Sequence, residues 1–186
     1  MAADAKVWVV TGASRGIGAA IATVAAEAGH RVAMVARSES VLSAAEALGE
    51  MATGFRCDVA DSEAVNATVD QMIEHYGRID VVVNNAGVHR GGKVHRLTDE
   101  AWQEVLQVNL TGAMSTTRAT LPHMDAGGAV VNVGAVVGFR GFPGDSAYAS
   151  SNAGRSGLTK ALAKYLAPIG ITANLVIPGL VLTEMT

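Results

Sequence analysis

Short apolar runs alternating with longer Ala-rich stretches organise this chain. Val7–Val10, Arg31–Val35, Gly54–Cys57, Ile79–Val83, Ala129–Val133 and Ile171–Ile177 are strand-length segments, most of them rich in Val and Ile. Between them, helical periodicity predicts helices near 16–28, 40–48, 62–76, 98–121 and 146–167. Gly29, Gly77 and Gly170 fall where helix C-caps belong. Strands buried on both faces read as continuous apolar runs, as "DVVVNNAG" at 80–87 does. Strict β–α alternation of this kind predicts an α/β fold, a single doubly wound parallel sheet with right-handed crossovers. No linker, repeat or low-complexity block divides residues 1–186, so one domain is expected.

Composition narrows the partners. A chain 49% hydrophobic and 17% charged suits one packed core. Fourteen basic and 17 acidic residues leave a net charge of -3, which offers no field for nucleic acid or an anionic membrane. Cys57 is the single cysteine, so no internal disulfide forms and a reducing compartment is expected. A small core residue is the simplest role for it. The N-terminus "MAADAKVWVV" lacks the pattern of a signal peptide, and "AVVNVGAVVGF" at 129–139 is too short to span a bilayer. A soluble cytoplasmic protein is the expectation.

The first turn carries the first chemistry. "TGASRGIG", Thr11 to Gly18, joins the first strand to the first helix. Gly12, Gly16 and Gly18 allow a tight turn and let a pyrophosphate approach the N–H groups at the helix start. The spacing is G-x-x-x-G-x-G, and no G-K-[ST] follows, which excludes a P-loop. At the end of the second strand, an acid would hold a ribose 2′-hydroxyl, whereas a 2′-phosphate needs arginine. The chain has Ala36 and Arg37 there, with no acid before Glu39, and Arg15 in the glycine loop can reach the same phosphate. NADP(H) is thereby favoured over NAD(H). The missing acid also weighs against a methyltransferase.

These segments together resemble the short-chain dehydrogenase/reductase family. "TGASRGIG" resembles its cofactor loop, to which Ser14, Arg15 and Ile17 belong, and "CDV" at 57–59 resembles the segment whose Asp58, followed by Val59, would contact adenine. "NNAG" at 84–87, with Asn85, Ala86 and Gly87, resembles the motif after strand four. "VNLTG" at 108–112 places Asn109 at the family's catalytic asparagine. In "PGLVLTEMT" at 178–186, Pro178, Gly179 and Thr183 would flank the nicotinamide. Within the family, "VVNVGAVVG" and "PGLVLTEMT" look most like 3-oxoacyl-[acyl-carrier-protein] reductases. The resemblance implies a carbonyl or hydroxyl substrate, such as a 3-oxoacyl thioester. It also implies a homodimer or homotetramer built on helices 98–121 and 146–167.

Two departures follow. The family's active site is Asn, Ser, Tyr and Lys, with Ser thirteen residues before Tyr and Lys four after it. Here Tyr148 in "YASSN" is preceded by Ala135 and followed by Asn152 at those spacings. Ser146, Ser150 and Ser151 lie too close to Tyr148 along the helix to replace the serine, and Lys160 and Lys164 lie two or more turns beyond it. The family also continues past strand six with a lid, a last strand and a helix. This domain is therefore expected to be C-terminally incomplete relative to the family, with strand six a bare edge.

The exchanges bear directly on proton transfer. A free phenol ionises near pH ~10, and an adjacent ammonium favours phenolate by roughly one to three pH units. Asn152 brings no charge. Because the family's lysine at that position also holds the nicotinamide ribose, the resemblance implies weakened cofactor affinity as well, with Asn152 left beside the cofactor. Ala135 lacks the hydroxyl that would hold the substrate oxygen, a loss of about 10²–10³-fold in turnover. The sequence leaves three readings open: a weakened NADP(H)-dependent reductase keeping Tyr148 and Asn109, a nucleotide-binding pseudoenzyme acting through partners or subunits, and a disabled variant. His89 and His95 read as solvated loop histidines, Trp102 and the methionines as core, and no cluster has metal-ligand spacing.

Overall fold

The computed structural model describes residues 5–183. Six parallel strands form one sheet, β1 (Val7–Thr11), β2 (Arg31–Ala36), β3 (Ala52–Arg56), β4 (Val81–Asn84), β5 (Ala129–Val133) and β6 (Thr172–Val176). Their spatial order is β3-β2-β1-β4-β5-β6. The connections are α1 (Gly16–Glu27), α2 (Ser40–Glu46), α3 (Ser62–Tyr76), α4 (Asp99–Leu106), α5 (Gly112–Thr120), α6 (Val137–Arg140) and α7 (Ser146–Leu166). The doubly wound sheet expected from the alternation is the fold found.

Both faces of the sheet are covered, which explains the unbroken valine runs. Val7, Val9, Val82 and Val130 face a core shared with Val65, Val69 and Met72 of α3 and Leu166 of α7. Val10, Met34, Val81 and Val83 face the other way, onto Ala22 and Ala25 of α1 and Val41 of α2. Alanine dominates that second layer, so α1 approaches the sheet closely. Arg31 and the phenol of Tyr76 close the far end: the tyrosine hydroxyl donates to the Val32 carbonyl at 3.1 Å, and the guanidinium sits 5.0 Å from the ring centroid.

Predicted element ends match to within two or three residues. Gly77 has a left-handed φ of 77° at the end of α3, and Gly29 and Gly170 take φ 85° and 74° just past theirs. The predicted helix over 98–121 needs correction. It is two helices, α4 and α5, joined through a π-helical turn at Gln107–Thr111. Asn109 lies buried in that turn, and such π-helical turns are frequent at functional sites. Periodicity could not show it, because the backbone stays helical throughout. The short helix α6 was also not predicted.

Polar residues bury themselves in the centre of the sheet. Asn84 and Asn132 are fully buried on neighbouring strands, and the Asn84 amide donates to Asn132 Oδ1 at 2.9 Å and to Thr117 Oγ1 at 3.0 Å. Asn132 in turn donates to Thr159 Oγ1 at 2.8 Å. This ladder sets α5 and α7 at fixed heights on the sheet, so that the residues above it meet at the strand ends.

Candidate active site

Strands β1 and β4 lie side by side although the chain visits two strands and three helices between them. Their helices leave to opposite faces, and a crevice opens at the carboxyl ends, where nucleotides bind in sheets of this order. Thr11 and Asn85 hold it in shape. Thr11 Oγ1 accepts from the N–H groups of Asn85 and Ala86, each at 3.0 Å, and the Asn85 amide donates to the carbonyls of Thr11 and Gly12 at 3.0 and 3.2 Å. Thr11, absent from the expected site, is thus a structural part of it.

The glycines act differently from one another. Gly12 has φ +66°, and a Cβ there would meet the Ala86 backbone at 2.9 Å. Gly16 takes φ +56° at the start of α1. Gly18 is buried under the loop, where a Cβ would lie 2.3 Å from the Gly12 carbonyl oxygen, so it packs helix on turn and does not line the crevice. The amino end of α1 therefore presents N–H groups and partial positive charge to a glycine cradle, a fit for a pyrophosphate.

The crevice continues into a cleft of about 420 Å³. Gly12, Ser14, Arg15, Gly16, Ile17, Arg37, Asp58, Val59, Asn85, Ala86, Gly87, Asn109, Tyr148, Asn152 and Thr183 all line it. Of the expected residues, Gly18, Ala135, Pro178 and Gly179 do not, and positions 184–186 of the last motif lie outside the described residues. At one end Arg37 is exposed and stands 3.9 Å from Asp58, while Ser38 bonds Ser40 at 2.7 Å and Ser14 at 3.4 Å. Asp58 itself is turned by an acceptance from the Ala60 N–H at 3.0 Å. Cys57 borders this end, and burial, the largest cause, pushes its thiol up from the ordinary value.

At the other end stand the helix α7 residues. Tyr148 is half-buried, and His89 packs edge-on against its ring, centroids 5.1 Å apart. His89 Nε2 also bonds Asp145 Oδ1 at 2.8 Å. Both His89 and His95 are exposed loop residues, as expected, and His89 in addition makes these two contacts. Asn152 is buried, and its amide donates to the Tyr148 carbonyl at 2.9 Å, turned back along its own helix. Ser151 donates to the same carbonyl at 2.9 Å and accepts from Asn109 Nδ2 at 3.2 Å. Asn109 is committed to the backbone of Val88: its Oδ1 accepts the Val88 N–H at 2.7 Å, and its Nδ2 donates to the Val88 carbonyl at 3.0 Å.

A family profile described as short chain dehydrogenase matches residues 6–186. The chain belongs to that family. The human 3-oxoacyl-[acyl-carrier-protein] reductase is 42% identical over 97% of the chain and 78% of that protein. A short chain dehydrogenase from Burkholderia cenocepacia, solved in complex with NADP, superposes with a TM-score of 0.93 at 39% identity, covering 97% of this chain and 76% of that one. A Burkholderia phymatum member, solved in complex with NAD, gives 0.94 at 29% identity, with 98% and 68% covered.

One residue of this short-chain dehydrogenase escaped the sequence reading. Arg155, on α7, is buried to 3% exposure and lines the cleft. Its Nε donates to the Asn109 carbonyl at 2.5 Å, Nη2 to Ala86 at 2.6 Å, and Nη1 to the carbonyls of Asn84, at 3.0 Å, and Val133. Burial lowers it to about 10, which leaves it charged at neutral pH. No motif in the sequence marks it; only the packing of α7 on the strand ends buries it. Among the described residues no His, Cys, Asp and Glu group could hold a metal, and no helix is long and apolar enough to cross a membrane.

Proposed function

We propose that this short-chain dehydrogenase is an oxidoreductase that binds NADP(H) in preference to NAD(H) and reduces a carbonyl of the 3-oxoacyl thioester class with attenuated turnover. The observation that supports it is the single cleft that unites the glycine loop, Arg37 and Tyr148. The glycine cradle and the start of α1 would hold the pyrophosphate. Arg15 and Arg37 would meet a 2′-phosphate, and Asp58 would face adenine. Bound there, the nicotinamide would supply the hydride of the reduction. Tyr148 would give its phenolic proton to the substrate oxygen, a step that contributes about 10²–10⁴-fold when the group is well placed. Asn109 holds Val88 and Ser151, so its part is positioning.

Attenuation follows from two positions. Ala135 offers no hydroxyl to a substrate oxygen, and the Asn152 amide is committed to its own helix. The same facts favour a second reading, a nucleotide-binding pseudoenzyme acting through subunit or partner contacts. Calorimetric titration with NADPH and NADH, together with NADPH oxidation in the presence of acetoacetyl thioester, separates them. Tighter NADPH binding that Arg37→Ala weakens by about tenfold, with turnover abolished by Tyr148→Phe, is expected. Binding without turnover selects the pseudoenzyme. A preference for NADH that Arg37→Ala leaves unchanged overturns the cofactor assignment.

A further inference from the structure

The residue that begins α7 does not do what its type and place predict. An aspartate at a helix N-cap ordinarily accepts from the first free N–H groups of its own helix. Asp61 does so for α3, and Thr98 does so for α4. Asp145 stands at that position before Ser146, yet its side chain makes no capping bond. Its Oδ1 is turned instead to His89 Nε2 at 2.8 Å, 56 positions away in the chain. The stability of a cap is forgone for this one contact.

The loop that carries His89 is held at several points. Val88 exchanges two hydrogen bonds with Asn109, and the Arg90 guanidinium bonds both oxygens of Glu104 at 2.8 and 2.7 Å. The Gly92 N–H donates to the Gly144 carbonyl at 2.7 Å. Gly91 leaves the imidazole little room, since a Cβ there would lie 3.1 Å from His89 Cε1. The ring is thus fixed both through its backbone and through Nε2, although part of it faces solvent.

What this fixed ring touches is Tyr148. The two rings meet at 87° with centroids 5.1 Å apart, the edge-on arrangement that aromatic quadrupoles favour. The torsion that sets a tyrosine ring plane is soft, so its neighbours decide it. Ala135 has no group to bond the Tyr148 hydroxyl, and the Asn152 amide is committed to the Tyr148 carbonyl. Among the described residues His89 is the aromatic partner of Tyr148.

We propose that His89, oriented by Asp145, is a positioning residue that fixes the ring plane of Tyr148 at the wall of the cleft. The phenolic proton then meets the substrate oxygen in one geometry. The inference rests on Tyr148 as the proton-donating group of the proposed reductase.

The first readout needs neither cofactor nor substrate. In protein carrying ring-labelled tyrosine, Tyr148 is assigned by the loss of its NMR signals in Tyr148→Phe. His89→Leu, which keeps bulk and removes the ring, should move those signals toward the position of exposed Tyr165. Asp145→Ala should move them the same way, but should add nothing in a chain that already carries His89→Leu. A merely structural N-cap would give the Asp145→Ala shift in both backgrounds. In turnover of acetoacetyl thioester, either single variant should lower kcat about 10–100-fold while leaving KM and the calorimetric NADPH affinity nearly unchanged. Unmoved Tyr148 signals, an Asp145→Ala shift that persists without His89, or an unchanged kcat overturns the proposal. Should His89→Leu not fold, Asp145→Ala carries the test alone: moved signals with a lowered kcat support it, and unmoved signals overturn it. Absence of turnover by the unaltered chain overturns the reductase reading, and the ring signals then decide whether His89 and Asp145 set Tyr148.

Discussion

Single residues here take roles set by what surrounds them. Cys57 lies between Val59 and the strand ends at 5% exposure, and burial outweighs the hydrogen bond with Thr68 that acts in the opposite sense. Its thiol is raised above the ordinary 9.0, so the folded state favours the protonated form. The stability this contributes is fully present below pH 9.0 and is lost as pH rises through the raised value. At pH 8 an aromatic disulfide reagent should react at least tenfold more slowly with the native protein than with the urea-unfolded chain. Equal rates, read by thiolate release, would show the residue to be open to solvent. Asn152 makes the contrast: it shares the cleft with Cys57, yet its side chain is turned onto its own helix.

Elements owe their positions to a few local contacts. Asp61 begins α3 by accepting from the N–H groups of Glu63 and Ala64 at 2.9 and 3.1 Å through one oxygen. Asp61→Ala should cost about 1 kcal/mol in urea denaturation without changing the denaturant slope. Helix α6 touches α7 at Gly138, where a Cβ would lie 2.8 Å from the Ala153 nitrogen and the Asn152 Cβ. Gly138→Val forces the two helices apart beside Tyr148. It should destabilise the protein by about 1–3 kcal/mol and weaken any turnover more than it weakens binding at the glycine loop. Equal stability of that variant by the same denaturation would show that α6 yields freely. The π-helical turn belongs to this scale too, since it delivers Asn109 to Val88 and its carbonyl to Arg155.

For the whole molecule, the open question of assembly concerns α4, α5 and α7. On α7 the exposed face carries Ser150, Ala153, Gly157 and Ala161, small enough for a second helix to approach. A dimer through these helices is the expectation, as C₂ contacts are the commonest kind. Light scattering at micromolar concentration should give twice the monomer mass, and Gly157→Arg should halve it. A monomeric unaltered chain refutes this. The sheet's β6 edge is a different surface, with Val176 and Ile177 about half exposed, and it is not needed for the helix-paired dimer.

The order of strands and helices was legible from residue pattern alone, because a strand buried on both faces must be apolar throughout and the helices between must be amphipathic. The glycine turn that shapes the crevice was legible as well: a turn such as that at Gly12 tolerates no side chain, and that demand is written directly into the sequence. Tyr148 and the exchanges at Ala135 and Asn152 were found by setting the family's spacing against this chain, which is a local comparison. What required the folded chain were the contacts between distant segments. His89 joins Asp145 and Tyr148 across 56 and 59 positions, and Thr11 joins Asn85 across 74. Arg155 is the sharpest case, since nothing in "NAGRSGL" says whether its guanidinium meets water or four carbonyls. Only the packing of α7 over the ends of β4 and β5 strips that charge of solvent, and burial is a property of the assembled fold rather than of the residue.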